Sequence, residues 1–285
     1  MKSRFHQNPI PNVNLVHLNV LDIDRSIKFY TDIMGFTILK QEITKVYLTV
    51  NGKDPILIIE QPVGIKPKTK HTAGLYHFAI LLPSRKELAR FLKHLITKNV
   101  YIQGGSDHGF SEALYFADPD GNGIEVYRDK PEEEWLYDED GNIKGITTYL
   151  DIDGLEGLLD NIPFTKLPED TVMGHIHLHV NNLDKSDHFY IDGLGMDLVM
   201  KYGPQASFYS YGGYHHHIGA NIWGRPQDIN DPINVGLNNY TIQYYNLTEL
   251  NETVNRLKSL GYKVDKEDNY YLTQDPSGNL IKLHI

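Results

Sequence analysis

Residues 15–36 read LVHLNVLDIDRSIKFYTDIMGF, and residues 175–196, 160 positions further on, read HIHLHVNNLDKSDHFYIDGLGM. The two stretches align over their whole length. Each opens with an alternating apolar pattern that predicts a strand. Each then passes an Asp suited to capping a helix, Asp24 or Asp184, and runs into a helix carrying Phe-Tyr. Each ends at a glycine, Gly35 or Gly195, which suits a left-handed C-terminal cap. Apolar runs follow, at 46–50 and 56–59 in the first copy and at 206–211 and 217–223 in the second.

A second kind of unit follows each copy. Residues 74–82 (GLYHFAILL) predict a strand and 84–98 a helix, and 108–127 (HGFSEALYFADPDGNGIEVY) closes the unit as a hairpin. Within it, 114–116 and 124–127 are strands, and Asp118-Pro-Asp-Gly-Asn-Gly supplies the turn, because Pro presets φ and Gly or Asn accepts positive φ. The distant copy comprises strand 236–244 (GLNNYTIQY), helix 247–260 and a hairpin through DPSGNLIK at 275–282. The expected fold class is therefore α+β, built from four βαβββ modules at 10–62, 72–128, 171–225 and 234–285. The first two modules form one sequential half (10–128) and the last two another (171–285), joined by an acidic, turn-rich connector at 129–170 with a weak helix near 155–159. Such units bury one sheet face each and must pair to enclose a core.

Composition excludes several classes. The chain has 285 residues, 40% hydrophobic and 22% charged, which is a globular balance with room for two domains. Its formal charge of −10, with no Lys/Arg block, speaks against a nucleic-acid partner. There is no Cys, so neither a disulfide frame nor a thiolate metal site can form. No apolar run approaches membrane-spanning length, and the first residues lack the apolar core of a signal peptide. The expectation is a soluble cytoplasmic protein with no membrane partner, its oligomeric state left open, a homo-oligomer included. Glu125, between Ile124 and Val126, reads by itself as a carboxylate on the solvent face of a half-buried strand. If it were buried, it would need a counter-charge or a metal.

The four-module pattern, with DRSIKFY…GF and DPDGNGIE, resembles the vicinal oxygen chelate fold over nearly the whole chain outside the connector. The phrases GLYHFAILLP, SEALYFADPDGNGIEVYRD, GHIHLHV and GGYHHHIG are most similar to extradiol ring-cleaving dioxygenases of the Bacillus catechol 2,3-dioxygenase type. The resemblance implies curved sheets made by paired modules. It also implies a metal held by two His and one Glu, the facial triad suited to Fe(II), with Mn(II) accepted by the same donors. In the Phe-Tyr modules the family's ligand lies fifteen residues before the Tyr: Leu15 in module 1, which cannot ligate, and His175 in module 3. Module 2 offers His77 and Glu125, whereas module 4 has Asn239 and Lys282 at the matching places. The set His77, Glu125 and His175 is complete only if modules 2 and 3 pair across the middle of the chain, which is the expected arrangement. The competing arrangement completes the triad within the first half through His17, two positions from Leu15 on the same strand face.

Further roles follow from the resemblance. His216 matches the acid/base His of the family's xHHxIA pattern, and imidazole titrates close to neutral pH. As strand residues, His215 and His217 would point one way and His216 the other. Tyr115, ten residues before Glu125, matches the family's active-site Tyr, and His108, in a loop two residues shorter than usual, is the candidate for its His partner. Both would hydrogen-bond substrate oxygens. His177 and His179 share the face of His175 and read as polar lining or packing. Phe78, Tyr115, Phe208, Tyr211 and Trp223 are candidates for an aromatic pocket or plain core. The implied activity is ring cleavage of a catechol-type diol by O2. The alternatives are a glyoxalase-type lyase or isomerase, and a non-catalytic aromatic- or drug-binding protein of the same fold.

Overall fold

The structure, a computed structural model, describes residues 3–139, 141–229 and 231–285. Module 1 contributes β1 (Asn12–Asn19), α1 (Ile23–Lys28), β2 (Thr37–Gln41), β3 (Lys45–Thr49) and β4 (Pro55–Glu60). Module 2 contributes β5 (Gly74–Leu81), α2 (Arg85–Thr97), β6 (Gly104–Asp107), β7 (Ser111–Ala117) and β8 (Gly123–Asp129). The connector adds β9 (Thr148–Tyr149) and α3 (Ile152–Glu156), the latter a few residues ahead of its expected place. Module 3 is β10 (Val172–His179), α4 (Leu183–Asp187), β11 (Asp197–Tyr202), β12 (Ala206–Ser210) and β13 (Ile218–Asn221). Module 4 is β14 (Gly236–Gln243), α5 (Leu247–Ser259), β15 (Val264–Lys266), β16 (Tyr270–Gln274) and β17 (Leu280–His284). Four βαβββ modules thus make an α+β protein of curved sheets.

Each sheet draws one module from each half of the chain. The eight-stranded sheet runs β15-β16-β17-β14-β1-β4-β3-β2, joining modules 1 and 4. The nine-stranded sheet runs β11-β12-β13-β10-β5-β8-β7-β6-β9, joining modules 2 and 3, with the connector strand at its edge. Alternation sorts the side chains of the second sheet. Leu75, Phe78 and Ile80 on β5, Ile124 and Val126 on β8, and Ile176 and Leu178 on β10 all enter the main apolar core with α2 and α5 residues. The other face carries His77, Ala79, Glu125, His175 and His177, which are buried all the same. Burying that many leucine- and phenylalanine-sized groups stabilises the fold by roughly 1.5–3 kcal/mol each. The same cluster includes Val16, Leu18, Leu57 and Ile59 of the first sheet, so one core serves both.

The two sequence signatures turn out to be physically joined. Tyr30, the Tyr of the Phe-Tyr motif, donates its hydroxyl to Asp118 of the Asp-Pro turn at 2.9 Å. Its repeat, Tyr190, donates to Asp275 at 3.0 Å. Asp118 also accepts from the backbone of Asp120 and Asn122, closing the turn. Sequential modules are therefore stapled by buried phenol–carboxylate bonds, while the sheets pair across the halves. The helices start earlier than expected: Asp22 and Asn182, not Asp24 and Asp184, are the N-caps, accepting from the backbone of Arg25 and Lys185. Asp24 and Asp184 fall in the first turn instead, where a negative charge meets the positive end of the helix. Gly35 and Gly195 do end their segments at positive φ (82° and 75°).

The N-terminal segment docks behind the second sheet, where His6 Nε2 lies 2.7 Å from the Gly174 carbonyl. Burial pushes the His6 imidazole down to about 4, and among the described residues its Nδ1 has no hydrogen-bond partner. The unfolded chain takes up a proton near pH 6.5 that the folded chain refuses, so stability is full above that value and falls as pH drops towards 4. Between pH 7 and pH 5 this one group costs about 2 kcal/mol. Urea midpoints at the two pH values, compared with those of His6→Gln, should show that part of the acid sensitivity vanish in the variant.

Candidate metal centre

Three adjacent strands carry three donors to one point. Glu125 lies on β8, His77 on the central β5 and His175 on β10. In register, Ala79 faces Glu125 on one side and His175 on the other, so a methyl group leaves the space between them clear. His77 Nε2 and His175 Nε2 are 3.3 Å apart. Glu125 Oε2 is 3.1 Å from His77 Nε2 and 3.2 Å from His175 Nε2. This near-equilateral triangle is the one cluster of three such donors found within 4.8 Å of one another among the described residues. Metal–ligand bonds of about 2.0–2.2 Å meeting near right angles put donor atoms about 3 Å apart, so the triangle fits one face of an octahedral ion. The remaining face is left to other ligands.

The protonation states suit a cation. Burial would raise the Glu125 carboxyl, but the His175 and His77 imidazoles at its oxygen outweigh that and hold it well below the usual carboxylate range. Burial pushes His175 down to about 4 against the pull of Glu125. At neutral pH an ionised carboxylate and an unprotonated His175 therefore converge. Glu125 is only 3% exposed, which overturns the solvent-face reading of that residue. Charged groups stay buried when something opposite meets them.

His17 takes no part. It sits on β1 in the other sheet, its Nε2 2.9 Å from Glu60 and its Nδ1 3.2 Å from the Asn239 amide. Lys282, of the same module 4, occupies β17 there.

Around the triangle lie the other sequence candidates. Tyr115 is paired directly with Glu125 across the β7–β8 hairpin, its ring 5.8 Å from that of His77. Burial first, then Glu125, holds its hydroxyl well above the usual phenol range, so the proton stays on. His108 Nδ1 lies 3.2 Å from the Ile146 carbonyl and Nε2 2.8 Å from the Tyr115 hydroxyl. A carbonyl can only accept, so Nδ1 carries the hydrogen, and in the neutral ring Tyr115 then donates to Nε2. His216 packs its ring 4.2 Å from that of His175 and 5.1 Å from Phe208. Burial, with His175 and His215 close by, pushes it well below the ordinary imidazole value.

Some expectations fail for local reasons. His215–His217 precede β13 rather than lying on it, after a turn in which Gly212 and Gly213 have positive φ. His215 and His216 consequently face each other, Nδ1 to Nδ1 at 2.9 Å, while His217 turns away to Ser210 and the Phe5 carbonyl. Of the aromatic candidates, Phe208 and Trp223 pack on His177, whereas Phe78 and Tyr211 belong to the main core. Strict alternation along β5 sends Tyr76 to the opposite face from His77. The β5–β10 register slips at this point, pairing His77 with His177 and then Leu75 with Leu178. Through that bulge Tyr76 comes to lie 5.1 Å from both the His77 and His177 rings.

A second register slip, between Met173 and His175, leaves Gly174 as the extra residue of β10. A Cβ there would collide with the Tyr127 hydroxyl, which is fixed 2.7 Å from the Tyr214 hydroxyl. Gly174→Ala should therefore cost roughly 1–3 kcal/mol through overpacking. It should also displace His175, lowering both the melting temperature and metal retention, read by thermal unfolding and metal analysis.

The comparisons with known proteins agree with this architecture. Residues 12–126 and 172–283 match the family model described as Glyoxalase/Bleomycin resistance protein/Dioxygenase superfamily. The chain belongs to that superfamily. It is 43% identical over 278 residues to catechol-2,3-dioxygenase of Bacillus subtilis (strain 168), covering 96% of this chain and 97% of the relative. A crystal structure from Bacillus subtilis subsp. subtilis strain 168 superposes with a TM-score of 0.67 at 15% identity, over 96% of this chain and 84% of that one. Glyoxalase I from Zea mays gives a TM-score of 0.59 at 17% identity, over 96% and 92%. At such identities the two structures speak for the fold alone. The end-to-end relative makes this chain an enzyme of the oxidoreductase kind.

Proposed function

We propose that the protein is an Fe(II)-dependent extradiol dioxygenase that opens the ring of a catechol-type diol with O2, with Mn(II) as the alternative ion. The observation that carries this reading is the triangle of His77 Nε2, His175 Nε2 and Glu125 Oε2 with edges of 3.1–3.3 Å. The 43% identity to a catechol-2,3-dioxygenase over nearly the whole chain supports it. In this reading His77, Glu125 and His175 are the metal ligands. When bound, the iron supplies a charge that favours loss of phenolic protons and a centre at which O2 and the diol meet.

The chain's own groups divide the remaining work. Glu125 is the single carboxylate among the three donors. His216, beside His175, takes the proton of a substrate hydroxyl and returns it later, as a positioned imidazole can. Tyr115, its hydrogen engaged by His108, keeps its hydroxyl oxygen as a fixed acceptor for a substrate O–H. Phe208, Trp223 and Tyr76 provide ring surfaces against which an aromatic substrate can lie. A helix long and apolar enough to cross a membrane is absent among the described residues.

The test is direct. The protein is loaded anaerobically with Fe(II) and mixed with catechol in air, and O2 uptake is followed together with the absorbance of a yellow ring-opened product. Stoichiometric O2 uptake with a yellow product is expected. Full iron occupancy with neither signal, for every diol tried, contradicts the reading.

A further inference from the structure

Behind His216 lies a hydrogen-bonded chain that no ligand or substrate role explains. Asp129, at the end of β8, has Oδ1 2.9 Å from His215 Nε2. The Tyr214 hydroxyl lies 3.1 Å from both oxygens of the same carboxylate. His215 Nδ1 in turn lies 2.9 Å from His216 Nδ1. His215 is wholly buried and held between Phe110, stacked at 4.4 Å, and the Tyr214 ring at 3.9 Å, so it cannot turn over. Asp129 also borders a surface cleft of about 200 Å³ that Arg4, Lys130 and Trp135 help to line.

The direction of the protons follows from the chemistry of the groups. An ionised carboxylate only accepts, so His215 Nε2 carries the hydrogen. In its neutral form His215 has one N–H, so its Nδ1 is then an acceptor. The contact at 2.9 Å then requires the hydrogen to be on His216 Nδ1. His216 Nε2 is left with its lone pair bare, and among the described residues it has no hydrogen-bond partner. We propose that Asp129 and His215 are positioning residues that hold His216 in the one tautomer able to accept a proton from a substrate hydroxyl. This rests on the reading of His216 as the proton carrier.

The step balances simply. The substrate O–H bond breaks, its electron pair stays on oxygen, and the proton bonds to His216 Nε2. The resulting imidazolium keeps its Nδ1–H directed at His215, and the Asp129 carboxylate two links away offsets its charge, as a carboxylate does behind a catalytic histidine. Without that chain His216 would be free to carry its hydrogen on Nε2, the nitrogen that must be empty.

The tautomer can be read without turnover. Full-length protein labelled with 15N-histidine and loaded with diamagnetic Zn(II) is examined by long-range 1H–15N correlation, His216 being assigned from its loss in His216→Ala. We expect hydrogen on Nδ1 and a bare Nε2, reversed or mixed in Asp129→Asn. In the iron-loaded enzyme Asp129→Asn should lower kcat at least about tenfold, within the roughly 10²–10⁴ a positioned base contributes, with iron content and KM for catechol unchanged. Added to His216→Ala, it should cause no further loss. Hydrogen on Nε2 in the wild type, or an independent loss from Asp129→Asn in the His216→Ala background, would overturn the proposal. Wild-type turnover by His216→Ala would instead remove the proton-carrier reading itself, and this inference with it.

Discussion

Glu125→Ala should yield a folded protein that no longer retains iron and no longer turns over. Glu125 supplies the only negative charge among the three converging donors, and it is held ionised although it is almost wholly buried. Residues that merely support a metal ligand are worth roughly 10–100-fold in metal affinity, so removing a ligand outright should cost more than about 100-fold. His77→Ala and His175→Ala should behave the same way. Metal analysis after gel filtration checks all three, and circular dichroism confirms that the sheet survives. Full iron occupancy in His175→Ala would mean that the triangle is not the ligand set.

His216→Ala should separate chemistry from metal binding. Its ring lies against His175, but neither of its nitrogens is among the converging donors. Iron content and the affinity for catechol should stay near the wild-type values. The rate should fall by about 10²–10⁴, the usual contribution of a positioned general acid or base. The pairing of full iron with a large loss of kcat is the expected signature. Equal losses of iron and rate would mean that His216 acts through the metal cradle instead.

How much of this was legible in the sequence depends on the distance over which each feature is encoded. The repeat at 15–36 and 175–196 carries its own alternation and helix periodicity, so the module architecture could be read from local pattern. The resemblance to the vicinal oxygen chelate fold marks the ligand positions, and since Leu15, Asn239 and Lys282 stand at those of modules 1 and 4, it implies the pairing of modules 2 and 3. Two kinds of detail stayed hidden. Register slips at Tyr76 and Gly174 reverse the facing of single residues, and nothing in an alternating pattern marks where an extra residue will be accommodated. Contacts between distant segments were equally invisible: Asp129 reads as the first residue of the acidic connector, and only the fold brings it to His215, 86 positions away. The N-cap lies two residues before the expected Asp24 because Asp22 and Asp24 are both capable acceptors, and the start of the helix decides between them.

The central claim is that one ion is gripped by side chains from modules 2 and 3, and anomalous diffraction at the iron edge from crystals grown with Fe(II) tests it most directly. The account predicts a single strong peak per chain, within bonding distance of His77 Nε2, His175 Nε2 and a Glu125 carboxylate oxygen. A peak beside His17 and Glu60, or iron bound away from Glu125, would contradict it.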